Sequence, residues 1–189
     1  MNESQYLKQG FGLRFLWLDF VNSFEKNGLG GSADHLRNPQ WVRTFLRHWK
    51  VPLPPTAVPL PAMERLRKLL RSGAENLSSP SPLTKAELQL LNDFLSVFAR
   101  PQMFQRQNGL VLQDVPRAED WHWVQARIAL SFAETLTMEP RDRVKICPDP
   151  LCRWIFYDTT KGKTRVWCNE RTCGNRNRVR RARAANKNA

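Results

Sequence analysis

The chain has 189 residues, thirty Lys/Arg against seventeen Asp/Glu, a net charge of +13 and four cysteines. That length accommodates one ordinary domain plus a small module, and the absence of any run of about 18 apolar residues argues against a membrane-spanning helix. The polar segment Met1–Gly10 has no signal-like apolar core, so the expected location is the cytoplasm, with no membrane partner.

The charge is uneven: residues 145–189 carry twelve Lys/Arg against three Asp/Glu, whereas residues 1–144 carry eighteen against fourteen. Such asymmetry speaks about partners rather than fold and points to a polyanion.

In chain order, Phe11–Trp17 alternates loosely and reads as a strand leading into a short helix at Leu18–Phe24. Asn38-Pro39 is a helix start, and Trp41, Val42, Phe45, Leu46 and Trp49 follow as one apolar stripe. Pro52–Pro61 is a loop. Pro61 opens a second helix with Met63, Leu66, Leu69 and Leu70 inward and Gly73 near its end. Thr84-x-x-Glu87 is a capping box before Leu88, Leu91, Leu95 and Phe98. Met103–Leu112 holds two extended runs around Asn108-Gly109, a hairpin signal. Asp120 starts a last helix through Trp121, Val124, Ile128, Phe132 and Leu136, which ends near Glu139-Pro140. The expected first domain, residues 1–140, is therefore mainly α with a small antiparallel β-sheet, an α+β arrangement in which the N-terminal strand can join the hairpin.

Nothing in this domain reads as catalytic. His35, His48 and His122 are isolated, and there is no Gly-rich phosphate loop or Gly-x-Ser-x-Gly, so the chain is read as a non-enzyme. The tryptophans read as core. Asp19 and Asn22 read as turn or cap residues, with a ligand pocket as the other reading.

Residues 141–189 carry the chemistry. Cys147 and Cys152 have four residues between them, Cys168 and Cys173 again four, and fifteen separate the pairs. Four soft donors so spaced suit tetrahedral zinc, and in a reducing cytosol clustered cysteines favour metal over disulfides. Four protein ligands leave no open position, so the Zn2+ is structural. Pro148–Leu151 stiffens the first knuckle. Arg153–Tyr157 reads as a strand, Asp158–Lys163 as the turn and Thr164–Trp167 as the returning strand. Asn169 or Thr172 then caps a helix starting near Cys173. Knuckle, hairpin and helix in that order form a treble-clef-like zinc finger with four cysteine ligands, and a module this small needs metal to fold.

The helix after Cys173 is arginine-rich, with Arg176, Arg180 and Arg183 on one face and Arg178 and Arg181 nearer the other. Asn175 and Arg176 are candidate base or phosphate contacts, the other arginines lie along phosphates, and Lys161, Lys163 and Arg165 reach a neighbouring phosphate. About five phosphate contacts would give a log affinity–log salt slope near −4 to −5.

The segment Cys-x4-Cys-x15-Cys-x4-Cys-Gly-Asn-Arg resembles the CGNR zinc fingers, as do Trp154, Phe156, Asp158 and Trp167. Leu18-Asp19-Phe20-Val21-Asn22 resembles the opening motif of the ABATE domain, although Ser23 stands where threonine is expected. The resemblance implies a bacterial two-domain regulator of transcription induced by stress, with a finger that binds DNA. Two other readings stay open. One is an RNA-binding protein, with Tyr157 as an exposed stacking residue; the other is a protein-interaction adaptor. An N-terminal domain that senses a small-molecule effector or forms a homodimer completes the expectation, since one small module buries only about 600–1,000 Å² on DNA.

Overall fold

The computed structural model describes residues 15–26, 31–77, 81–97, 100–106, 109–115 and 118–187. It begins with a helix, α1 (Leu16–Val21), which overlaps the helix expected at Leu18–Phe24 but starts two residues earlier, on Leu16 and Trp17 that read as strand, and ends before Phe24, which lies in a strand. All six residues of α1 are buried. Five of the six are apolar and Asp19 accepts from Trp49 Nε1, so the segment has no solvent face and the core encloses it. Residues 11–14 of the expected strand lie outside the described residues.

Around α1 stand α2 (Pro39–His48), α3 (Leu60–Glu75), α4 (Lys85–Leu95) and α5 (Trp121–Met138). Their starts follow local rules. The side-chain carbonyl oxygen of Asn38 accepts from Gln40 and Trp41 N–H, with Pro39 first in α2. Thr84 and Glu87 form the reciprocal box, and Asp120 accepts from Trp123 N–H. On α4 only Leu91 is fully buried, and Leu88 is exposed rather than inward. The apolar face of α4 is instead completed by Leu90, Phe94 and Leu95. Phe98 lies outside the described residues.

The core is aromatic and tight. Trp17 meets Phe132 edge-on at 5.0 Å and donates its indole N–H to Thr135 Oγ1 at 2.9 Å. Trp41 stacks on Phe45 at 5.1 Å. Trp121 and Trp123 are buried as well, as expected of core residues. A Cβ added at Gly73 would lie 2.7 Å from the Phe132 ring, so glycine there lets α3 approach α5.

Among the described residues the strands form three separate antiparallel pairs; the expected joining of an N-terminal strand to the hairpin falls on residues outside the described set. The pairs are β1 (Phe24–Lys26) with β2 (Ser32–Asp34), β3 (Arg100–Arg106) with β4 (Gly109–Val115), and β5 (Val144–Ile146) with β6 (Ile155–Tyr157). The hairpin near Asn-Gly is present, with Arg106↔Gly109 as the last pair of its ladder and residues 107–108 between them. Those two residues lie outside the described set.

The last ribbon differs most from expectation. β6 pairs with Val144–Ile146, which no sequence signal marked, and residues 164–167 form no strand. The reason is Asp158. Its buried carboxylate accepts from Thr160 N–H and hydroxyl and from Arg165 N–H, at 2.9, 2.6 and 2.9 Å, and pairs with Lys145 Nζ at 2.7 Å. These bonds gather residues 158–165 into a knot in place of a ladder.

The ribbon is two-faced. Val144, Ile155 and Tyr157 enter the main core, whereas Phe156 packs with Cys147 and Cys173. Among the described residues, no helix is long and apolar enough to cross a membrane.

Candidate zinc centre and basic helix

The first cysteine pair sits at the open end of the β5–β6 ribbon. Cys147 N–H donates to Trp154 O at 2.8 Å, and the Asp149 carbonyl accepts from Cys152 and Arg153 N–H at 2.9 and 3.1 Å. Arg153 closes this knuckle in the left-handed region, φ 59°. The second pair flanks a helix start. Asn169 caps a wide π-type turn, Glu170–Gly174, by accepting from Thr172 N–H, and α6 (Asn175–Lys187) continues from it.

These loops bring four sulfurs together, all within 4.8 Å of one another. All four thiols are free. The Sγ separations of 3.5 Å for Cys152–Cys168 and 3.6 Å for Cys168–Cys173 are close to the about 3.8 Å edge of a tetrahedron with 2.3 Å zinc–sulfur bonds. Hydrogen bonding to Cys147, contact with Cys173 and burial push the Cys152 and Cys168 thiols up. So many crowded sulfurs ionise together only around a cation. The set fits zinc, with Cys147, Cys152, Cys168 and Cys173 positioned to hold it; bound there, zinc would supply cross-linking rather than an open coordination position.

Buried carboxylates orient the module. Burial alone would raise the Asp158 carboxyl, but Lys145, the Thr160 hydroxyl and the surrounding N–H donors hold it well below the usual carboxylate range. Asp149, also fully buried, receives Leu151 N–H at 3.1 Å and Arg176 Nη1 at 2.8 Å, with Arg180 3.8 Å away. Sequence reasoning missed both acids as organising groups. Asp149 lies between two ligands and Asp158 follows the strand, yet nothing local shows that either is enclosed.

The candidate nucleic-acid residues divide sharply. Arg176 is half-buried against Asp149, not presented to solvent. Arg165 lies 4.8 Å over the Phe156 ring and donates to the Trp167 and Cys168 carbonyls. Lys163 pairs with Asp142, Arg178 with Glu170 at 2.6 Å, and Arg180 bonds Asn177. Asn175, Lys161, Arg181 and Arg183 are exposed and have no such partner among the described residues. Residues 178–186 are exposed throughout, so α6 stands out from the body. Tyr157 is buried, its hydroxyl donating to Glu139 at 2.5 Å and its ring edge-on to Phe15, so it offers no stacking surface.

Asp19 and Asn22 are both buried. Asp19 accepts from Trp49 Nε1 at 2.9 Å. Asn22 caps the end of α1 and brackets Ile155, donating to its carbonyl at 2.8 Å and accepting from its N–H at 3.0 Å. One side chain thus pairs with β6 as a neighbouring strand would. His35, read as isolated, lies 3.1 Å from Glu25, and His122 lies 3.4 Å from Asp120.

Comparison with known families places these features. The CGNR zinc finger family matches residues 143–185. The ABATE family, described as "Putative stress-induced transcription regulator", matches residues 15–139. Neither description is of an enzyme. No curated protein matches the chain. With about two thirds of its length inside the longer match, the chain belongs to the ABATE family and carries a CGNR zinc finger behind that domain.

Proposed function

We propose that this protein regulates transcription by binding DNA through its finger, with residues 141–189 as the DNA-binding part and residues 1–140 as a part that senses a ligand or dimerises. The observation that carries the reading is α6: a basic helix, exposed from residue 178 to 186, rooted in a four-cysteine site. Knuckle, strand and helix in that order support a treble-clef plan. The family description supports a regulator.

Phosphate contact then falls to Lys161, Arg181 and Arg183, aided by Arg178 and Arg180 through their outer edges, with Asn175 near the helix start as a base or phosphate contact. Burial of Tyr157 removes the aromatic surface that favoured single-stranded RNA. The test is fluorescence anisotropy of zinc-loaded protein on duplex DNA and single-stranded RNA across a salt series. Wild type should prefer duplex, and the Arg181→Ala/Arg183→Ala variant should flatten the salt slope by about two while keeping its zinc. Identical slopes for the two proteins would leave α6 as a solubilising tail. Light scattering at the same concentrations reads whether a dimer supplies the second half-site.

A further inference from the structure

A cavity of about 660 Å³ opens where α3 faces the first zinc knuckle, with Cys152 and Arg153 in its wall. That volume is in the range of small-molecule sites. Its apolar surface is supplied by Val21 and Phe24, the latter exposed and capped by the Arg67 guanidinium 5.5 Å from its ring. Its charges do not balance. Arg37 faces Glu64 at 3.1 Å and Arg67 faces Asp34 at 2.7 Å. Arg71 and Arg153 share Glu75, at 3.2 and 4.0 Å. Lys68, also in the wall, has no acidic partner among the described residues. The lining is therefore apolar beneath and cationic at its edge.

We propose that this cavity binds a small organic anion: an apolar, aromatic-sized body against Val21 and Phe24, and a carboxylate or similar group held by Lys68 and the Arg71–Arg153 edge. This deepens the ligand-sensing reading above and rests on it. Asp19 and Asn22 are not in the cavity wall: Asp19 bonds Trp49, and Asn22 ties the end of α1 to β6. The knuckle forms one side of the cavity. Arg71 Nη2 donates to the Arg153 carbonyl at 2.7 Å, directly after the cysteine that faces the cavity. An anion there draws on the same arginines that hold the knuckle and covers Cys152, so occupancy is communicated to the finger.

The experiment is isothermal titration of zinc-loaded full-length protein with naphthoate, and with naphthylmethylammonium as a cation of the same apolar body. One naphthoate site per chain and little response to the cation are expected. Lys68→Glu should weaken naphthoate about tenfold and Lys68→Arg should restore it. Bound naphthoate should also slow zinc transfer to a chelating dye. No saturable naphthoate binding, equal binding of the cation, or an unchanged affinity in a Lys68→Glu protein with wild-type circular dichroism and zinc content overturns the proposal; an unchanged zinc-transfer rate overturns the link to the finger. Anisotropy on duplex DNA separates the two readings. DNA binding without naphthoate binding removes only the cavity, and naphthoate binding without DNA binding removes only the regulator.

Discussion

Single side chains divide the labour in this molecule. Arg176, the arginine of the Cys-Gly-Asn-Arg segment, is spent on Asp149, a buried acid between the first two cysteines. Groups that orient metal ligands commonly change metal affinity by about 10–100-fold when removed. Arg176→Ala should therefore lose zinc affinity on that scale in a competition titration with a chelating dye, whereas Arg181→Ala should leave it unchanged. The opposite order would return Arg176 to the nucleic-acid surface. Asn22 makes a second such commitment. Asn22→Ala leaves the Ile155 N–H and carbonyl buried without partners, so urea unfolding should show a loss of about 2–4 kcal/mol. Equal stability would mean that water takes over both bonds.

At the scale of elements, the β5–β6 ribbon is shared property. One face belongs to the aromatic core and the other to the cysteines. Removing zinc with a chelator should therefore melt residues 158–187 and spare the ribbon itself. Hydrogen exchange would show rapid exchange along α6 and the Glu170–Gly174 turn, with retained protection in α5 and at Ile155. Protection lost equally in α5 would mean that metal binding folds the whole chain rather than its last quarter. The basic helix depends most on metal because its residues beyond Arg178 bury nothing of their own.

For the whole molecule, acid should act in two stages. Zinc leaves as thiolates are protonated, while the helical body keeps its carboxylate pairs. In that body, burial alone would raise the Asp34 carboxyl, but hydrogen bonds and charge from Arg67 bring it below its ordinary value. Its contribution is then complete above the unfolded value of about 3.9 and disappears as pH falls through the lower folded value. Zinc release followed by a dye should precede loss of the near-ultraviolet tryptophan signal, with the second step below about pH 4. The deficit of Asp34→Asn should be constant from about pH 5 to 8 and close at lower pH. A single coincident step would tie the core to the metal.

Whatever depends on neighbours along the chain was legible in the residues alone. The caps at Asn38, Thr84 and Asp120, the apolar stripes of α2 and α3, and the paired cysteine spacing are local facts, and each appears as read. Which strand pairs with Ile155–Tyr157 was settled by packing, because a three-residue partner is too short to show a period. The same holds for the start of α1, where Leu16 and Trp17, read as strand, are helical and enclosed, and for Tyr157, turned inward toward Phe15 and Glu139. The fate of each arginine was likewise hidden. A run of like charges reads as one basic face, and which members turn back to a buried carboxylate depends on where folding places Asp149, 27 residues away from Arg176 along the chain. Spacing shows that four sulfurs can meet; only packing shows what holds them there.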